Sequence, residues 1–240
     1  MEWRDEALML GQRAQGENHS LVTVFTRTRG KAVALVYGGQ GRGKAPILQI
    51  GNGLDIRWQG KGPEALGHFD VDLIAPRAAA TFGDPKALSA MAATAELLLH
   101  VLPEGDAAPA LFAATEVLFS TFGERDIWPV VMAKWELGLL RSLGGGLVLD
   151  RCVATGELLE DGADLCFVSP KSGGAVTYDA GLPYKDKLFP LPPFLIDRGD
   201  PMQQDLRAAL ELTGHFITER LLHPIGRALP DARIRLTTRL

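Results

Sequence analysis

Residues 21–37, LVTVFTRTRGKAVALVY, decide how the first part of the chain folds. Two apolar or alternating runs, at about 21–26 and 31–37, flank the polar turn Thr28-Arg29-Gly30. Runs rich in β-branched and aromatic residues, separated by a turn that contains glycine, are typical of a β-hairpin. The stretch therefore predicts two neighbouring antiparallel strands.

Three further runs of this kind lie around the hairpin, at about 7–13, 52–58 and 67–74. Polar or glycine-rich breaks separate the five runs, at residues 16–18, 28–30, 38–43 and 60–63. Five short strands in about 75 residues predict a small closed barrel, because so small a sheet must hide both its apolar face and its edges. We expect an OB-fold over residues 1–75.

After Pro76 the hydrophobic period becomes helical. Asp84-Pro85 predicts an N-cap followed by proline at the first helical position, and the apolar residues after it keep helical spacing to about Leu102. Further helices are predicted at about 109–122, at about 129–143, and from Asp200-Pro201 to a point before Pro224.

Residues 147–199 interrupt the helices with an irregular segment rich in Gly, Pro and Asp. The predicted fold class is therefore α+β: a five-stranded OB-fold barrel at 1–75, then a mostly helical domain at 76–240 with this irregular insertion. The opening residues have no apolar signal segment, and no run approaches the roughly 20 apolar residues that cross a bilayer. With two cysteines and no disulfide framework, we expect a cytoplasmic protein that does not contact membranes.

Charge is distributed unevenly along the chain. The first 62 residues hold nine Lys and Arg against five Asp and Glu, whereas the rest holds sixteen against twenty-four. Basic residues near a small barrel predict contacts to a nucleic-acid backbone, although a solvated surface is the simpler alternative. The candidate nucleic-acid-binding residues are Arg27, Arg29, Lys31, Arg42, Lys44, Arg57 and Lys61. Aromatic residues could stack on bases, but we expect most of them in the core: Trp3, Phe25, Tyr37, Trp58 and Phe69.

The segment GGQGRGKA at residues 38–45 nearly spells a phosphate-binding loop of nucleotide hydrolases. Ala45 lacks the hydroxyl that would contact Mg²⁺, and Pro46 biases Ala45 toward extended backbone where such a loop must enter a helix. We therefore interpret the segment as a basic loop that contacts phosphate without hydrolysis. A nucleotide-dependent enzyme stays open as an alternative.

The sequence contains few signs of a catalytic or metal-binding motif. The five histidines have no metal-binding spacing, there is no G-x-S-x-G elbow, and Cys152 and Cys166 form no C-x-x-C pair. The sequence predicts no catalytic residue, no cofactor and no metal, and hence a protein that is not an enzyme.

Several motifs, in their order and spacing, resemble those of the RecO family of bacterial recombination mediators and DNA repair proteins. In the first domain they are Glu2-Trp3-Arg4-Asp5-Glu6, Gly16-Glu17, Phe25-Thr26-Arg27, Gly30-Lys31 and the glycine-rich stretch to Lys44. Later in the chain they are the stretches WELGLL at 135–140, LDRCVATG at 149–156 and FVSPKSGGAV at 167–176. Together they cover nearly the whole chain.

The resemblance implies an N-terminal OB-fold that binds single- and double-stranded DNA, anneals complementary strands and helps load RecA. It implies RecR and the single-stranded DNA-binding protein SSB as partners, with RecA reached indirectly. A generic OB-fold module for single-stranded nucleic acid is the other alternative to this function.

Some members of that family carry a zinc knuckle of two C-x-x-C pairs. Here Cys152 matches the first ligand, Thr155 stands in place of the second, and no cysteine follows Gly174, where the second pair belongs. Cys166 matches no ligand position. The resemblance therefore implies a knuckle that has lost its metal.

The acidic remainder of the chain is expected to bind protein rather than DNA. The resemblance points to the C-terminal tail of SSB, a short acidic segment that ends in apolar residues. Such a tail needs an apolar groove with cations at its rim. The third and fourth predicted helices offer apolar stripes with four candidate rim charges: Lys134, Arg141, Arg207 and Arg220.

Overall fold

The computed structural model describes residues 1–62 and 65–239, which form two compact units. The first unit contains residues Met1–Trp128 and Pro230–Arg233, and the second contains Pro129–Leu229 and the residues from Ile234 onward. The predicted domain boundary between residues 75 and 76 stays a prediction. Pro63, at the end of the predicted break at 60–63, lies outside the described residues.

Five strands form the N-terminal sheet: β1 (Glu2–Gln15), β2 (His19–Thr26), β3 (Gly30–Val36), β4 (Gly53–Gln59) and β5 (His68–Ala75). Their order is β1-β2-β3-β5-β4, with β4 pairing back onto β1. The described residues join β3 to β5 through one parallel pair, Leu35 and His68. The predicted α+β class with a five-stranded N-terminal sheet is confirmed. The seam between β3 and β5 is held by that single pair.

The alternation of side chains along the strands determines which residues form the core of the barrel. Every second residue points inward, and the inward set is apolar: Ala7, Met9, Val22, Val24, Ala34, Val36, Leu54, Ile56, Trp58, Phe69 and Val71. Phe25 is also fully buried, and Trp3 is half-buried. Tyr37 is 52% exposed, so it alone among the five candidate aromatic residues lies largely outside the core.

Two helices of the first unit cover the outer side of β1 and β2. Helix α1 (Pro85–Val101) begins as predicted, since the Asp84 carboxylate accepts hydrogen bonds from the backbone N–H groups of Lys86 and Ala87. Helix α2 (Pro109–Thr121) packs on β2 through the rings of Phe25 and Phe112, whose centroids are 5.4 Å apart.

The second unit holds most of helix α3 (Trp128–Ser142) and a second sheet that the sequence did not predict. The segment interpreted as irregular, 147–199, contains four strands in the order β6-β8-β7-β9: β6 (Val148–Cys152), β7 (Leu165–Val168), β8 (Gly174–Thr177) and β9 (Phe189–Pro190). The prediction was wrong here because strands of two to five residues are too short to show a period.

Three further α-helices lie in the described chain: α4 (Tyr178–Gly181), α5 (Gln203–Ile217) and α6 (Asp231–Arg239). The predicted helix start at Asp200-Pro201 is too early, since α5 starts after Met202, whose backbone N–H donates to the Asp205 carboxylate at 3.0 Å. Helix α6 was not predicted, because Leu236 is the one large apolar residue that it buries. None of the helices in the described residues is long and apolar enough to cross a membrane.

Candidate nucleic-acid interface

Arg27 is engaged with carboxylates rather than free to meet phosphate. Its guanidinium lies 2.6 Å from Glu6 and 2.9 Å from Glu116, and 4.8 Å from the centroid of the Phe112 ring. The hydrogen bond to Glu6 raises the pKa of Arg27 above its ordinary value. This arginine therefore links the barrel to α2, and a DNA phosphate would have to displace two carboxylates to reach it.

Arg57 lies on an acidic face of the barrel. In register it stands between Arg4 of β1 and Asp70 of β5, and the next outward positions are Asp55 and Asp72. Arg4 forms an ion pair with Asp55. The hydrogen bond from Arg4 is the main cause that lowers the pKa of Asp55. A polyanion approaching Arg57 would meet three aspartates, so this position suits DNA poorly.

Arg29 and Lys31 lie beside the half-buried Trp3. The Arg29 guanidinium is 5.1 Å from the Trp3 ring, and the Lys31 ammonium donates a hydrogen bond of 3.1 Å to the Leu99 carbonyl in the last turn of α1. Trp3 and Lys31 line a cavity of about 540 Å³ next to the β3–β5 seam. Lys31 therefore has a structural role, whereas Arg29 is exposed and does not line the cavity.

The glycine-rich segment after β3 folds into successive turns and enters no helix. The backbone N–H of Gly41 donates to the Gly38 carbonyl at 2.9 Å, and that of Lys44 donates to the Gly41 carbonyl at 3.1 Å. The Gln40 amide donates to the Ser20 hydroxyl at 2.7 Å, which fixes the segment on the start of β2. Because no helix N-terminus follows Lys44, the geometry does not favour the nucleotide-binding alternative.

Two of the predicted cations stand on this segment. Arg42 is exposed and Lys44 is half-buried, and neither forms an ion pair with any residue between 1 and 62 or between 65 and 239. Beyond them, Leu48 is buried in the barrel core and the Asn52 amide donates to the Ile47 carbonyl at 3.0 Å. The cations are thus held on a loop that is anchored at both ends.

Tyr37, immediately before this segment, is part of a row of rings. Its centroid is 5.1 Å from that of His19 and 5.2 Å from that of His68. Tyr37, His68 and Lys61 line one open cavity of about 760 Å³ together with Leu35 and Leu66. Sequence reasoning gave His19 and His68 no role; the one available signal was that each begins a strand beside a turn.

The structure therefore gathers some of the predicted residues and separates others. The β1–β2 turn at 16–18, the segment after Tyr37 and the β4–β5 connection that carries Lys61 lie at one end of the barrel. OB-folds bind oligonucleotides at the face of strands 2 and 3 and at the loops that follow strands 1 and 4. Arg42, Lys44 and Lys61 belong to this end of the barrel. The other four candidates lie elsewhere, in the surroundings given above for each: Arg27, Arg29, Lys31 and Arg57.

The knuckle-like segment of the second unit does not fit a zinc site. Burial raises the pKa of the Cys152 thiol, but hydrogen bonds from Thr155 and Thr177 outweigh burial and lower it to about 6. The Thr177 backbone N–H donates to Cys152 Sγ at 3.3 Å, and Cys166 lies two strands away, on β7. No group of three or more His, Cys, Asp or Glu able to hold a metal occurs in the part of the chain that the structure describes. That the protein folds without zinc stays a prediction.

The second unit also contains an apolar groove of about 300 Å³. Leu137 and Arg141 of α3 form one wall, and the remaining lining comes from Leu147, Leu149, Asp150, Leu159, Leu195 and Ile196. Asp150 is paired with Arg151 at 3.1 Å, and this pair lowers the pKa of Asp150. Arg141 therefore contributes a positive charge to the groove.

The four predicted rim charges have different surroundings. Lys134, on α3 like Arg141, forms an ion pair with Asp197. Arg207 pairs with Glu211 one turn along α5, at 2.9 Å. Arg220 donates to three backbone carbonyls, which gives it a structural role. Arg141 alone among the four lines the groove.

Two family models match the chain. The model described as "Recombination protein O N terminal" matches residues 1–77, and the one described as "Recombination protein O C terminal" matches residues 83–228. Together they span both the barrel and most of the second unit.

Full-length relatives carry a matching description. A "DNA repair protein RecO" of Hyphomonas neptunium is 43% identical, with all of this chain and 98% of the relative covered. Proteins of the same name from Caulobacter sp. (strain K31) and Roseobacter denitrificans are 41% and 40% identical, over 100% and 98% of this chain and 98% and 96% of the relatives.

Proposed function

This chain belongs to the RecO family of DNA repair proteins, and from this premise we propose that it is a recombination mediator. In this role it binds single- and double-stranded DNA, anneals complementary strands and, together with RecR, helps load RecA onto DNA coated with SSB. It needs no nucleotide hydrolysis or other catalysis of its own. The family membership supports the role, and the geometry of the barrel supports where DNA binds.

The observation that carries the DNA-binding proposal is a pair of cations on an anchored loop. Arg42 and Lys44 make no ion pair within the described residues, while both ends of their loop are fixed by hydrogen bonds and by burial of Leu48. An anchored loop loses little conformational entropy when it meets a ligand. Contacts from such cations to phosphates carry no sequence information, so we propose binding without strong sequence preference.

We expect the Arg42→Ala, Lys44→Ala double variant to bind unrelated DNA sequences more weakly, and to similar extents. Each lost phosphate contact reduces the slope of log K against log salt concentration by about 0.9 for duplex and about 0.7 for single strands. Loss of both contacts should therefore flatten the duplex slope by nearly two units. Fluorescence anisotropy of labelled oligonucleotides at several salt concentrations measures this directly.

A matched control removes two lysines from the second unit. Lys185 and Lys187 are exposed there, and neither is ion-paired with a described residue. Their double alanine variant should keep the wild-type slope. Equal flattening in both double variants would show a general charge effect, and the Arg42 and Lys44 loop would then not be the DNA site.

We further propose that the groove beside Arg141 receives the C-terminal tail of SSB. Its leucine and isoleucine walls suit the apolar end of the tail, and Arg141 is placed to meet an acidic side chain or the terminal carboxylate. Of the charges considered, Arg141 is the one best placed to attract the acidic tail. Lys134 already forms an ion pair with Asp197, and the negative charge of Asp150 is paired with Arg151.

We expect Arg141→Glu to weaken binding of a synthetic SSB-tail peptide by roughly tenfold, because it replaces attraction by repulsion at the rim. The peptide's dissociation constant for the full chain is measured by fluorescence anisotropy. Arg207→Glu, which reverses a charge on α5 that does not line the groove, is the matched control and should keep wild-type affinity. Loss of binding with Arg207→Glu but not with Arg141→Glu would assign the tail to another surface.

A further inference from the structure

The most exposed ring at the DNA-binding end of the barrel is unusual in how firmly it is held. Tyr37 is 52% exposed although it directly follows the last residue of β3. The His19 ring meets it edge to face, with an angle of 83° between the planes, and the plane of the His68 ring is tilted by 45° to that of Tyr37. The position of Tyr37 is thus set by its neighbours, while about half of its surface stays open.

His19 is held through its ring, and His68 through its backbone. The backbone N–H of Gly38 donates to His19 Nδ1 at 3.3 Å, and His68 pairs with Gln59 across β4 and β5. The backbone that carries Tyr37 continues into the anchored loop with Arg42 and Lys44. A ring that is already held in place loses little conformational entropy on binding, which favours contact with a flat ligand.

The space in front of the ring suits a nucleic-acid base. The cavity of about 760 Å³ is open and is lined by Tyr37, Leu35, Leu66 and His68, which are mainly apolar or aromatic. The cation Lys61 is also in its lining and is placed to meet a phosphate. Glu2 lines the cavity as well, and its carboxylate accepts a hydrogen bond of 3.4 Å from the Gln59 amide. Buried aromatic residues cannot stack on a base, and three of the candidates are in the core: Phe25, Trp58 and Phe69.

We propose that Tyr37, held by His19 and His68, is a stacking platform for one unpaired base. The inference rests on the proposed DNA binding and deepens it, because it assigns to one side chain a contact that only single strands can make. In duplex DNA both faces of a base are covered by its neighbours, so stacking on Tyr37 would first require that the base be unstacked and unpaired. Cations such as Arg42 and Lys44 bind phosphates of either form.

The test compares an oligo(dT) single strand with a duplex of the same length, using the full chain and the variants Tyr37→Ala and Tyr37→Phe. Stacking on an aromatic side chain accounts for about a 5- to 150-fold difference in affinity per base. We expect Tyr37→Ala to lose that factor for the single strand and to change duplex affinity by less than about twofold. Tyr37→Phe keeps the ring and should bind the single strand with wild-type affinity. Phe82→Ala, which removes another ring of the same unit that is 76% exposed, should change neither.

A second readout follows the base itself. A 2-aminopurine in the single strand loses fluorescence when it stacks, so quenching should occur with the wild-type protein and with Tyr37→Phe but not with Tyr37→Ala. Equal losses for single strand and duplex, unchanged single-strand affinity of Tyr37→Ala, or quenching that survives Tyr37→Ala would each overturn the stacking platform. If such a result comes with salt-dependent wild-type binding that Arg42→Ala, Lys44→Ala weakens, DNA binding by the loop stands and the stacking inference alone fails.

Discussion

Alanine in place of Gly30 is expected to destabilise the first unit by at least about 4 kcal/mol, which is exceptional for one added methyl group. Gly30 ends the β2–β3 turn with a φ of +67°, where a side chain is strained. A Cβ there would also lie 2.0 Å from the Asp106 carbonyl oxygen and 2.6 Å from its carbon. Backbone atoms cannot move aside as a side chain can, so either the hairpin or the segment after α1 must shift.

Gly16→Ala separates the clash from the backbone strain. Gly16 has a φ of +66°, nearly that of Gly30, but a Cβ there would meet nothing within 4 Å. We expect this control to lose only about 1–2 kcal/mol, the strain of a left-handed residue. Urea unfolding followed by circular dichroism gives both free energies. Similar losses in the two variants would mean that the close approach of Gly30 to Asp106 does not exist in solution.

Arg220→Ala is expected to destabilise the second unit by about 3 kcal/mol, since it leaves backbone carbonyls without their donor. The Arg220 guanidinium donates to the Gly145 carbonyl at 3.1 Å, to that of Gly146 at 2.8 Å and to that of Ser172 at 2.7 Å. It also lies 4.7 Å from the centroid of the Phe216 ring. One side chain thereby joins the glycine turn after α3 to the turn before β8.

The control for this variant is Arg207→Ala on α5. Arg207 forms one exposed pair with Glu211, at i and i+4, which is worth at most about 0.5 kcal/mol. Thermal unfolding of both variants ranks the two arginines. A loss with Arg220→Ala that is no larger than the loss with Arg207→Ala would contradict the structural role of Arg220.

The barrel was predictable from sequence because its strands are long enough to show their period. Strands β2 to β5 hold seven or eight residues each, and the turns between β1, β2 and β3 are marked by Gly16 and Gly30, both at positive φ. The second sheet was not predictable, because β9 has two residues and β7 and β8 have four. Pairing between such short strands depends on contacts that are distant in sequence, which no local pattern reveals.

The candidate site was predictable only in part, for a related reason. The sequence showed which residues are basic. It did not show which of these basic residues already form ion pairs with carboxylates. Glu116, a partner of Arg27, lies 89 positions away. The ring row of His19, Tyr37 and His68 likewise joins three strand ends that are separate in sequence. Only the loop at Arg42 and Lys44 could be proposed directly from sequence, since its glycines and its charges are local.

Annealing of complementary oligonucleotides coated with SSB tests the central claim most directly, because it requires both DNA binding and action on an SSB complex. We expect the wild-type protein to accelerate annealing and Arg42→Ala, Lys44→Ala to do so much less, while Lys185→Ala, Lys187→Ala keeps the wild-type rate. If the wild-type protein leaves the rate at that of SSB-coated DNA alone, the proposed mediator role is wrong. If Arg42→Ala, Lys44→Ala anneals as fast as the wild type, DNA is bound elsewhere than at this end of the barrel.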